Sequence, residues 1–88
     1  MPINNNPITP KTSPELLLSH AISEIPNLES GEKFMVRDLF IGYEWNRLSN
    51  YIRAHIGSGF YQYAQGGGSE QVAILEKSAR NQQIYSKK

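Results

Sequence analysis

The chain contains no cysteine. Disulfide staples, thiolate metal sites and a cysteine nucleophile are thereby excluded. No apolar run approaches the roughly 20 residues that a membrane-spanning helix needs. The N-terminal stretch MPINNNPITPKTSP lacks the apolar segment of a secretion signal. These absences give the expectation of a cytoplasmic protein with no membrane partner. Asp38 is the single aspartate, and His20 and His55 are the only histidines. Two isolated histidines make a poor metal site, and a Ser-His-Asp set drawn from this chain has neither a nucleophile elbow nor an oxyanion motif. Gly66-Gly67-Gly68 lacks the Lys and Ser/Thr of a phosphate loop and reads as a linker. No cofactor, no metal and no catalysis are expected.

A large charge of one sign is missing too. Lys plus Arg number 9 and Asp plus Glu number 8, for a net +1. That balance excludes a polyanionic tail and a histone-like polycation. The length of 88 residues allows one domain with a thin core, which a deep substrate cavity would consume. A binding module is the expected class.

Residues 1–13 carry three Asn and three Pro and read as a flexible N-terminal arm, followed by one domain over 14–88. Ser13-Pro14-Glu15 is a helix start: a capping serine, a proline at the first helical position and an acid at the positive end of the dipole. Leu18, Ile22 and Ile25, with Leu17, Ala21 and Leu28 beside them, form an apolar stripe, and Pro26 ends the helix or bends its last turn. After a polar turn at 29–32, residues 33–36 read as a short strand. Arg37 to Ile41 read as a short helix closed by Gly42 at C′, and 43–46 as a linking turn. Ser49 caps a long third helix in which Ile52, Ile56, Phe60, Tyr63 and Ala64 share a face. That helix either tolerates Gly57 and Gly59 or breaks near Gly57. Residues 71–78 and 83–88 read as a hairpin with its turn at 79–82, and neither a two- nor a three-residue loop gives clean alternation on both strands. The expected class is mainly α with a small β-hairpin (α+β), in the order α-β-α-α-β-β.

That order resembles a winged helix-turn-helix DNA-binding domain. Phe34-Met35-Val36-Arg37-Asp38-Leu39-Phe40 is similar to the short strand entering the second helix, 47–65 to the recognition helix, and 72–88 to the wing. Gly31-x-x-Phe34-x-Val36-x-Asp38-Leu39-Phe40, with Trp45, Arg53, Gly57 and Phe60, also resembles a small uncharacterised family from bacteria and their mobile elements. The winged-helix resemblance implies a transcriptional or replication regulator that binds double-stranded DNA. Its third helix would enter the major groove and its hairpin would touch the backbone or minor groove.

Charge segregation fits that implication. Residues 1–44 hold three bases and six acids, whereas residues 45–88 hold six bases and two acids. At about 100° per residue, Tyr51, Ala54, Ser58, Tyr61, Gln62 and Gln65 fall opposite the apolar face of the third helix. Such side chains suit base edges and phosphates. Arg47 either reaches a phosphate or decorates the turn. Lys77, Arg80 and Asn81 sit at the hairpin tip, within reach of backbone or minor groove. Arg53 lies beside the apolar stripe and is assigned a structural role, a salt bridge to Asp38, in preference to DNA contact. Trp45, Phe34, Phe40 and Phe60 are core anchors. Tyr43, Tyr51, Tyr61 and Tyr85 include candidates for stacking on single strands. One such domain has a small footprint, so a homodimer or a partner protein is expected to supply specificity. The alternative is a protein-binding module of a phage or plasmid that inhibits or recruits a host protein, using the acidic half or exposed tyrosines.

Overall fold

The computed structural model describes residues 8–88. Three helices, α1 (Pro14–Glu24), α2 (Gly42–Asn46) and α3 (Asn50–Gln65), accompany three strands, β1 (Lys33–Phe34), β2 (Val72–Lys77) and β3 (Gln83–Lys87). The strands form one antiparallel sheet in the order β1-β3-β2. The α+β class and the α-β-α-α-β-β order both hold.

Local chemistry accounts for the helix starts. Ser13 Oγ accepts from the Leu16 N–H at 3.3 Å, with Pro14 in the first turn. Ser49 does the same for Ile52 at 3.2 Å. Each cap satisfies a donor that the first helical turn leaves unpaired. Pro26 acts as expected: α1 gives way to a tighter 3-10 turn over Ile25–Asn27. The Ile25 carbonyl accepts from the Leu28 N–H at 3.0 Å, and Lys87 Nζ donates to the Ile25 and Leu28 carbonyls at 3.3 and 3.4 Å.

The second helix departs from expectation. Val36–Leu39 forms only a 3-10 turn, and Gly42 opens α2 instead of closing the helix before it. Residues 43–46, expected as a linking turn, are that helix. The 3-10 turn is fixed by Asp38, whose carboxylate accepts from the Met35 N–H at 2.8 Å. An exposed acid used this way caps a turn and makes no ion pair among the described residues.

α3 runs unbroken through both glycines. Gly59 faces α1, where a Cβ would lie 3.1 Å from Leu18 Cδ2. Gly57 meets nothing within 4 Å. The helix ends at Gly66, and buried Gly68 packs where any Cβ would run into the Tyr63 ring.

The core lies between α1, α3 and the sheet. Leu17, Ala21 and Ile25 of the first helical segment meet Ile56, Phe60 and Ala64 of α3, all buried. On the sheet side the Phe34 ring stacks on Tyr85 at 5.7 Å, and Phe60 meets Tyr85 edge-on at 5.0 Å. Each such pair is worth about 0.5–1.5 kcal/mol beyond the area it buries. Phe34, Phe40 and Phe60 are thus the core anchors expected of them. Trp45 is half-buried against Phe40, with ring centroids 5.2 Å apart.

The hairpin register explains the unclear alternation. Ile74 pairs with Tyr85 and Lys77 with Gln83, so β2 carries one residue more than β3 between those rungs. That is a β-bulge, which moves every side chain beyond it to the other face. Ser78 closes the turn: its hydroxyl accepts from the Arg80 and Gln82 N–H groups at 3.2 and 3.1 Å. Asn81 adopts φ +66° there, a conformation that asparagine tolerates better than most residues.

Of the expected N-terminal arm, residues 1–7 lie outside the described residues. Ile8 is only 8% exposed and packs with the core. Its N–H donates to Glu44 Oε2 at 3.3 Å, and its carbonyl accepts from Arg47 at 2.7 Å. Packing therefore begins ahead of Ser13.

Candidate nucleic-acid interface

α3 offers an outer face built from Tyr51, Ala54, Ser58, Tyr61, Gln62 and Gln65, and each of these residues is exposed. No acid occurs anywhere in Asn50–Gln65. His55 belongs to this face as well, its ring 6.4 Å from that of Tyr51. α2 and α3 are joined by Arg47, Leu48 and Ser49 alone, and the buried Leu48 holds that turn to the core. A three-residue connection of this kind is the length found in helix-turn-helix units.

The hairpin tip carries Lys77, Arg80 and Asn81, all exposed. Ala54 of α3 and Asn81 of the tip line one cleft of about 530 Å³. Those two sequence candidates are brought together; Lys77 and Arg80 do not line that cleft. Its wall also includes Met35, Arg37, Trp45, Asn46 and Arg53. No carboxylate lines it.

Arg53 differs from its expected role in its partner. Its guanidinium donates to the Trp45 carbonyl at 3.2 Å and lies over the Trp45 ring, 5.6 Å from the centroid. Asp38 is committed to Met35, so the expected salt bridge does not form. The Arg53 Nε–H is buried with no partner among the described residues. Such an orphan costs roughly 1–3 kcal/mol, which makes this the least satisfied polar group of the interface.

Arg47 is the second adjustment. It donates to the Ile8 carbonyl and lies over the Tyr43 ring, 5.0 Å from its centroid. These contacts brace the turn, and the residue remains exposed. Lys87 and Lys88 are also occupied, the latter donating to the Ser69 carbonyl at 2.7 Å. In the basic half, Lys77 and Arg80 are left with no side-chain hydrogen bond among the described residues. Arg37 was not among the sequence candidates because it belongs to the acidic half; its place after β1 brings it to the cleft.

One titrating group departs from its ordinary range. Burial, and then the Tyr61 charge, push the Tyr85 hydroxyl from 10.0 up to about 12. It is a core tyrosine, so it is withdrawn from the stacking candidates. The described residues hold no cluster of three His, Asp or Glu that could bind a metal ion. No helix among them is long and apolar enough to cross a membrane.

A family model described as a domain of unknown function, DUF1413, matches residues 19–87, and the chain belongs to that family. The residues that carried the resemblance to an uncharacterised small family, from Gly31 to Phe60, fall within the match. No curated protein and no solved structure matches the chain.

Proposed function

We propose that this DUF1413 domain is a winged helix-turn-helix module that binds double-stranded DNA, as a small transcriptional or replication regulator. The observation that carries the reading is the acid-free outer face of α3, whose Ala54 shares a cleft with Asn81 of the hairpin tip, while that tip also bears the exposed Lys77 and Arg80. The β1-β3-β2 sheet and the three-residue link from α2 to α3 support it. In this reading α3 enters the major groove, where Gln62 and Gln65 face base edges and Ser58 and Tyr61 reach phosphates. Lys77 and Arg80 contact the flanking backbone or minor groove. A second copy would double the small footprint.

The test is duplex binding by fluorescence anisotropy over a series of salt concentrations. Contact with about three or four phosphates gives a slope near −3 for log affinity against log salt. Absence of binding at low salt overturns the reading.

A second reading has its own support. Leu16, Ile41, Tyr43 and Tyr51 are large apolar or aromatic side chains left exposed, Tyr51 by 75%. Tyrosines of this kind are enriched at protein interfaces. In this reading a mobile-element protein holds a host protein through them. Lys77→Glu with Arg80→Glu separates the two: it weakens DNA binding by tenfold or more and leaves such a protein contact unchanged.

A further inference from the structure

We propose that the cleft between α3, the hairpin tip and the segment after β1 is a site for one nucleotide unit. Arg37 and Arg53 would hold its phosphate, and the base would lie against the carboxamides near Trp45. The site shares Ala54 and Asn81 with the DNA face but does not depend on duplex binding.

Size is the first argument. A cleft of about 530 Å³ falls inside the range of about 300–1,000 Å³ in which small ligands are bound. Charge is the second. Two arginines line it and no carboxylate does, so an anion finds cationic side chains with no competing acid. The third is the Arg53 Nε–H, buried and unpaired while the rest of that guanidinium is anchored on Trp45. Solvent does not reach that N–H in this conformation, so an acceptor in the cleft would pair with it after a small shift of the side chain. The fourth is the amide content of the walls. Asn46, Asn50, Asn81 and Gln82 all line it, and each carries a carboxamide with a donor and an acceptor. Such pairs read the edges of unstacked bases, and guanidinium and aromatic planes stack on their faces. An acidic peptide would satisfy the arginines and leave the carboxamides without planar partners.

A free nucleotide and an unpaired nucleotide within a strand share this chemistry, and the experiment separates them. The full chain is titrated with adenosine 5′-monophosphate, adenosine, inorganic phosphate and a short single-stranded oligoadenylate, followed in ¹H–¹⁵N spectra. The monophosphate is expected to move the Arg53 Nε–H and the Trp45 indole N–H. Adenosine or phosphate alone should bind roughly tenfold more weakly or worse. Arg37→Glu, at an exposed position that should leave the fold intact, is expected to weaken the monophosphate by about tenfold or more. Arg53→Lys keeps the charge, removes the Nε–H and should weaken it too. If that variant unfolds, Arg37→Glu still decides. Tighter binding of the oligonucleotide assigns the site to a strand, and equal binding to the free nucleotide. Unmoved Arg53 and Trp45 signals at millimolar monophosphate overturn the proposal, as does an undiminished response in Arg37→Glu or tighter binding of an acidic peptide. Failure of duplex binding leaves these signals unaffected, so the two readings fall separately.

Discussion

The two sides of α3 obey different rules. Ile56, Phe60 and Ala64 are packed against α1 and the sheet, where each side chain is chosen by volume. Tyr51, Ser58, Gln62 and Gln65 touch no core, so volume places no demand on them. The first side decides whether the helix exists and where it lies. The second is free to be selected for what it meets outside. Substitutions should therefore split cleanly, with stability lost on one side and binding on the other.

The largest effect is expected from Phe60→Ala. The ring is fully buried and meets both Phe34 and Tyr85. Its loss should cost about 3–5 kcal/mol, read from urea unfolding, and would leave little folded protein. By contrast Gln62→Ala, two residues on, should change stability by less than about 0.5 kcal/mol. A large loss there would break the division between the two sides.

Next in size is the binding side. Lys77→Glu with Arg80→Glu should weaken duplex binding by tenfold or more at low salt, equivalent to about 1.4 kcal/mol or more. Unfolding by urea should be almost unchanged, because neither side chain is hydrogen-bonded among the described residues. If stability fell instead, the hairpin tip would belong with the packed regions.

Tyr85 extends the comparison to alkaline pH. Its hydroxyl is held at about 12 in the fold, against 10.0 in the unfolded chain. The native state thus keeps a proton that the unfolded state loses. The stabilising effect of that difference is complete below pH 10 and is lost as pH rises through 12. Tyr85→Phe should remove the part of the alkaline destabilisation that wild type shows between pH 10 and 12, measured by paired urea titrations. An identical pH dependence in both proteins would show that the buried hydroxyl carries no such linkage.

What could be read from sequence follows the range of the forces involved. Ser13, Ser49 and the turn at 79–82 act within four residues, and each was legible. The apolar stripes of α1 and α3 were legible for the same reason. Gly42 misled because glycine fits either end of a helix, and here it opens α2 directly after the Ile41 cap. The bulge between Ile74 and Lys77 depends on the partner strand, so alternation within β2 alone gave no register. Ile8 was hidden among prolines and asparagines, and its partners Glu44 and Arg47 lie some forty residues away. Arg53 packs on Trp45 and not on Asp38, whose carboxylate has a nearer donor in the Met35 N–H. The cleft was not legible at all: Arg37 and Arg53 come from halves of opposite charge, and only the fold joins them.

The smallest effect tests the comparison within two residues. Gly57→Ala places a methyl group in open space, so it should stabilise the protein by about 0.5–1 kcal/mol through helix propensity and a stiffer unfolded chain. Gly59→Ala gains the same propensity but pushes its Cβ to 3.1 Å from Leu18 Cδ2. Leu18 is half-buried and must shift by a few tenths of an ångström in a packed contact. Overpacking of that kind offsets the gain, and the net change should be close to zero or slightly negative. Both values come from the same urea unfolding series. A clear gain at both positions would mean that Leu18 repacks without cost. The α1–α3 contact would then be looser than its side chains suggest, and glycine at 59 would be no more constrained than glycine at 57.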